Sequence, residues 1–194
     1  MPPMIEMLRV SYILFPLLVG LTFHGFCMKF KWLTFLARPI DGGRAFRGRR
    51  LFGSNKTYRG VIAVGLGTAL GFGIQTIVLH QITSIHHLEL IDFPRLNWFP
   101  LGFAMGTAAM LSELPNSFIK RQLGIAPGMV ANGLVGVLFY IIDQVDMLLG
   151  VWLVLSFAVE VTLTRILWSI VFLFLAHQII TLAGYAFGMR DTMR

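Results

Sequence analysis

Five apolar stretches leave this chain few ways to fold. Residues 10–27, 61–81, 96–111, 147–164 and 166–189 are each long and poor in charge, and a helix needs about 20 mostly apolar residues to cross a bilayer core. Backbone polar groups have no water to bond in lipid, so such runs have to be helical. The sequence therefore predicts an all-α integral membrane protein of about five transmembrane helices, in one domain covering 1–194. Composition agrees: 56% of residues are hydrophobic and 13% charged, outside the range of soluble domains. The second run carries Gly65, Gly67, Gly71 and Gly73, small residues that let helices approach closely in lipid. Pro16 interrupts the first run, and proline is tolerated in membrane helices. Cys27 is the single cysteine, so no intrachain disulfide exists, and it reads as a packing residue. Only Arg9 precedes the first run closely and no small-residue cleavage site follows, so this run is expected to be a retained span rather than a signal peptide.

The charges are as unevenly spread as the apolar residues. Nine of the sixteen Lys and Arg fall between Lys29 and Arg59, against one acid, Asp41. The formal charge of +7 could suit nucleic acid, but cations gathered in one loop between spans are better explained by the positive-inside rule. No nucleic-acid partner is expected. This loop and the polar segment 112–127, with Glu113, Ser117, Lys120 and Arg121, are assigned to the cytoplasm. The segment 83–95, with His86, His87, Glu89 and Asp92, is assigned to the outer face, as is the N-terminus. His86 and His87 are neighbours and do not share a helix face, so no metal site is expected there. In the basic loop, Gly42, Gly43, Gly48 and Gly53 alternate with the cations, and glycine allows a backbone to approach a phosphate.

Residues 129–142 are apolar but too short to cross alone, so they read as a re-entrant or interfacial piece, or as the first half of a longer broken helix. Asp143 and Asp146 follow directly. Three residues apart on a helix, they share a face, and ionisable groups bordering membrane spans are functional candidates. Two such carboxylates repel unless a cation lies between them, and hard oxygen ligands suit Mg²⁺; pairing with loop arginines is the structural alternative. Lys56, Thr57 and Arg59 from the first loop, with Ser117, Lys120 and Arg121 from the second, could surround a polyphosphate. The P-loop spacing is absent around Lys56, and there is no Gly-x-Ser-x-Gly, His-Glu-x-x-His or cysteine cluster. Soluble-type NTPase, serine hydrolase and zinc protease readings are thereby excluded.

Taken together, Arg38-Pro39-Ile40-Asp41, the run from Arg49 through Lys56-Thr57-Tyr58-Arg59-Gly60, Ser117-Phe118-Ile119-Lys120-Arg121, Asp143-Gln144-Val145-Asp146 and Gly184-Tyr185 resemble the CDP-archaeol synthase family, itself similar to the CTP:phosphatidate cytidylyltransferases. The resemblance runs from about Arg38 to Arg190. It implies a five-helix membrane enzyme that transfers CMP from CTP to a lipid phosphate in the bilayer, with Mg²⁺, on the cytoplasmic side of a prokaryotic plasma membrane. Lys56, Arg59, Lys120 and Arg121 would then neutralise charge on departing pyrophosphate. Asp41, Arg49, Arg50, Thr57 and Ser117 are expected at the nucleotide, and Asp143, Asp146 and Glu113 at the metal. The chain departs from the family pattern at Ser112-Glu113, where Gly-Asp is usual, at Asn116, where a lysine is usual, and at Thr181, where asparagine is common; residues 128–142 also form a longer link. A diacyl phosphatidate acceptor stays open, as does a non-catalytic protein whose basic loop holds anionic headgroups.

Overall fold

The glycines of the second apolar run determine how the bundle is assembled. In the computed structural model, which describes residues 3–92, 95, 97–129 and 131–186 without the side chains of 144 and 180–186, this run is helix α2 (Tyr58–Ile77). It is laid along α1 (Pro3–Lys29) on one side and α3 (Trp98–Ser112) on the other. A Cβ on Gly67 would stand 2.8 Å from Gly20 Cα, and one on Gly71 would stand 2.6 Å from Pro16 Cα. Apolar side chains gain little by leaving lipid for one another, so close backbone approach through small residues does much of the work of association. Helix α5 (Gly133–Leu155) covers α3, and α6 (Leu163–Ala186) closes on α1 and α5. Val10, Ile13, Leu14, Leu17, Val64, Phe72, Met105 and Leu155 are fully buried between them.

At one end of the bundle the basic segment between α1 and α2 is folded back on itself. Ile40 N–H donates to Lys56 O at 2.9 Å and Tyr58 N–H to Arg38 O at 3.1 Å, which closes its base. Its tip is a small antiparallel hairpin, β1 (Ala45–Phe46) with β2 (Arg49–Arg50). Arg47 and Gly48 have φ of 52° and 76°, the positive values a tight two-residue hairpin turn requires. Beside it lies α4 (Leu114–Gln122), a short helix that follows α3 almost without a break.

Two expectations are corrected. Residues 129–142 and 147–164 are not separate pieces: α5 runs unbroken from Gly133 to Leu155, with Asp143 and Asp146 in its middle rather than at its border. The helix continues because α4 supplies polar partners to both acids. It ends at Leu155, short of Thr164, and α6 begins at Leu163. Arg165 therefore lies in the first turn of α6 rather than between helices, and donates to Glu6 of α1 at 2.7 Å. Among the described residues, Pro3–Lys29, Tyr58–Gln81 and Gly133–Leu155 are long and apolar enough to cross a membrane. Helix α3, at 15 residues, spans about 22 Å. The tail 190–194, the end of the fifth run at Met189 and Leu96 lie outside the described residues, as do the side chains of Thr181 and Tyr185.

Candidate active site

The basic loop owes its shape to Asp41. Its side chain is fully buried, and the carboxylate accepts from the Arg50 guanidinium and from the backbone N–H groups of Gly43 at 2.9 Å, Phe52 at 3.2 Å and Gly53 at 3.0 Å. Burial pushes this carboxyl up, but the hydrogen bonds outweigh it and hold the pKa at about 2. The acid is thus engaged with its own loop. Thr57 is likewise structural in placement: it caps α2, its Oγ1 accepting from Gly60 N–H at 3.3 Å.

Helices α4 and α5 meet through polar side chains. Asn116 Nδ2 donates to Asp143 Oδ1 at 2.7 Å and to Asp146 Oδ2 at 2.9 Å. Lys120, one turn along α4, bonds both oxygens of Asp143 and lies 5.3 Å from the centre of the Phe139 ring. Asp146 also accepts from Met147 N–H at 2.8 Å. Where α3 passes into α4, Glu113 is paired with Lys56 of the basic loop. Ser117 is buried beside Asn116.

The arginines border a cavity of about 260 Å³ lined by Arg49, Arg50, Gly53, Arg121 and residues 124–127. Arg49 reaches across to the carbonyl of Gln122, tying the loop to α4. Arg121 is 9% exposed, and its Nε and Nη1 are buried without hydrogen-bond partners, as are Arg50 Nε and Arg59 Nε. Buried guanidinium donors call for acceptors, and phosphate oxygens suit their geometry. A Cβ on Gly53 would stand 3.0 Å from Pro127 and 3.5 Å from Arg121 Nη1, so glycine there keeps the cavity wall thin.

The structure thus gathers the expected residues into two adjoining groups. One holds Lys56, Glu113, Lys120, Asp143 and Asp146. The other holds Arg49, Arg50 and Arg121, with Asp41 behind. Arg59 lies in the first turn of α2. Nothing in the sequence alone joins Asn116 to the acids, because a neutral amide in a basic stretch carries no motif. Asp143 and Asp146 each present a carboxylate oxygen to Asn116, and such oxygen donors fit a hard divalent cation such as Mg²⁺. A second cluster of possible ligands, His80, His86 and Glu89, lies in the segment that follows α2. There His80 Nδ1 is bonded to Glu89 at 2.9 Å, and the two imidazoles are stacked 4.6 Å apart at 18°.

The sequence also has known relatives. The profile of the family described as "CarS-like: CDP-archaeol synthase" matches residues 7–193. The CDP-archaeol synthase of Methanoculleus marisnigri is 31% identical over 160 residues, covering 79% of this chain and 87% of that protein. That of Pyrobaculum aerophilum is 30% identical over 171 residues, covering 85% of each. A solved structure of an intramembrane enzyme for archaeal membrane lipid biosynthesis superposes with a TM-score of 0.60 at 22% identity, covering 88% of this chain and 91% of that one.

Proposed function

The chain belongs to the CDP-archaeol synthase family, and from that premise we propose that the α4–α5 cluster is where CMP passes from CTP to the phosphate of an archaeol-type ether lipid. The protein is a membrane-embedded, CTP-dependent cytidylyltransferase that forms a CDP-activated lipid. The reading of its site rests above all on one observation: two carboxylates of α5 are met by an amide and an ammonium of α4, next to an arginine-lined cavity.

In this reading Arg49, Arg50 and Arg121 take the triphosphate, with Arg59 as a further cation. Lys56 and Lys120, which pair with Glu113 and Asp143, turn to phosphate oxygens when nucleotide is bound. Asp143 and Asp146, with Glu113, would hold a divalent cation that would supply Lewis-acid polarisation of the nucleotide phosphate, and Mg²⁺ suits these oxygen donors. The lipid phosphate is already ionised, so no general base is required. One of its oxygens bonds to the α-phosphorus as the bond to the bridging β-phosphate oxygen breaks. Pyrophosphate then leaves carrying that electron pair, its charge met by the lysines and arginines. Rate enhancement comes from positioning and electrostatics. The loop cations support a cytoplasmic setting for this end of the bundle, at a prokaryotic plasma membrane, where the lipid headgroup would reach it from the inner leaflet.

The test is incubation of purified protein with labelled CTP, Mg²⁺ and a panel of ether-linked and diacyl lipid phosphates, looking for CDP-lipid and pyrophosphate. Product is expected with the ether lipid and is abolished by EDTA. Asp143→Asn and Asp146→Asn should each reduce turnover to background while the protein still inserts and folds. Near-wild-type turnover in either variant would make the acids structural.

A further inference from the structure

Asn116 is 6% exposed, and its two ends are unequally served. Nδ2 uses both its hydrogens, on Asp143 Oδ1 at 2.7 Å and Asp146 Oδ2 at 2.9 Å. Oδ1 is buried with no hydrogen-bond partner. Native structures rarely leave a buried amide oxygen in that condition. Turning the amide over would point Oδ1 at the same two carboxylates, three electronegative atoms facing one another, unless a cation lay among them. With a cation there, that arrangement becomes a ligand set. Carboxylates and amide carbonyls are the usual oxygen donors to hard divalent ions, and an amide nitrogen offers no lone pair.

We propose that Asn116 is itself a ligand of the divalent cation through Oδ1, and that its amide turns over when the cation binds. This rests on the reading of Asp143 and Asp146 as the cation site. Nδ2 lies between the two acids. Its two hydrogens join the carboxylates, so the acids are brought together before the ion arrives. On binding, half a turn about Cβ–Cγ exchanges donor for acceptor without moving either helix.

The test is Mn²⁺ titration of purified protein without nucleotide, with free ion followed by electron paramagnetic resonance. Asn116→Ala should bind about tenfold more weakly or worse, the scale of losing one group that orders a metal site. Asn116→Asp should bind at least as tightly as wild type, because it presents an oxygen in either rotamer and adds a charge. In EDTA the same variant should melt earlier than wild type, having lost both N–H donors between the acids, and Mn²⁺ should restore it. If Asn116 were only a clamp, Asn116→Asp would bind Mn²⁺ more weakly than wild type, and that result overturns the proposal. So does wild-type affinity in Asn116→Ala. Asp143→Asn and Asp146→Asn separate the two levels. Wild-type Mn²⁺ affinity in them removes the cation site and this inference with it. Loss of binding there, with both Asn116 variants unaffected, removes the inference alone.

Discussion

Replacing Asp41 by asparagine keeps the shape of the side chain and removes what the loop uses. Oδ1 accepts from Arg50 and Gly43, and Oδ2 from Phe52 and Gly53. Whichever way an asparagine amide is turned, one of those positions becomes an NH₂ facing two donors. The pKa depression from 3.8 to about 2, at 1.36 kcal/mol per unit, puts the contribution of the ionised acid at about 2 kcal/mol. Two donors left buried and unmatched add at least about 1 kcal/mol. A loop that loses this much opens locally before the helices do. The sign with pH follows from a folded-state pKa below the unfolded one. The stabilisation is complete above about 3.8 and is lost as pH falls through about 2.

Limited proteolysis without nucleotide reads this directly, because Arg44, Arg47, Arg49 and Arg50 are trypsin sites within the braced segment. Asp41→Asn should be cut there much faster than wild type at neutral pH and should bind CTP more weakly. Wild-type loop resistance to pepsin should persist at pH 5 and decline only below about pH 4, the upper end of the Asp41 titration. Wild-type trypsin resistance together with weakened CTP binding would make Asp41 a ligand contact instead of a brace. Wild-type behaviour in both assays would refute the energetics.

Lys56→Ala and Arg59→Ala should each weaken CTP binding by about 10- to 100-fold, the range for one hydrogen bond between charged groups, whereas Lys29→Ala should leave it nearly unchanged; equal losses, measured by calorimetry, would mean that only the general field of the loop matters. For topology, a cysteine placed at Arg47 in a chain with Cys27 replaced should resist membrane-impermeant reagent in intact cells, while one at His87 should react; labelling at Arg47 from outside would invert the orientation.

The helices were legible because long apolar runs are a local property, and α1 and α2 fall where residues 10–27 and 61–81 placed them. The continuity of α5 through Asp143 was not. A carboxylate in an apolar run argues for a helix end only while its partners are unknown, and here they come from Asn116 and Lys120, 27 and 23 residues earlier. The same holds for Arg165, whose partner Glu6 lies 159 residues away. The hairpin in the basic loop escaped notice because its strands are two residues each, too short for any alternation to appear. Gly48 after Arg47 was the one available turn signal.

What the sequence offered as two separate inventories, acids for the metal and cations for the phosphates, the structure joins across the lists: Glu113 with Lys56, and Asp143 with Lys120. Unpaired carboxylates at the rim of a low-dielectric bundle would repel one another, and unpaired lysines would too, so cross-pairing removes both costs. It also makes Lys120 a competitor of the cation for Asp143. Removing the lysine should therefore have opposite effects on the two ligands. Lys120→Met should bind Mn²⁺ more tightly than wild type when no nucleotide is present, and bind CTP more weakly. The Asp143 side chain is 43% exposed, so solvent screening limits the pair to about 1 kcal/mol, or roughly fivefold in Mn²⁺ affinity. If Lys120 instead served to position Asp143 for the ion, the variant would bind Mn²⁺ more weakly. Titrating the ion alone into both proteins distinguishes the two cases, and weaker or unchanged Mn²⁺ binding would show that the lysine does not stand in for the cation.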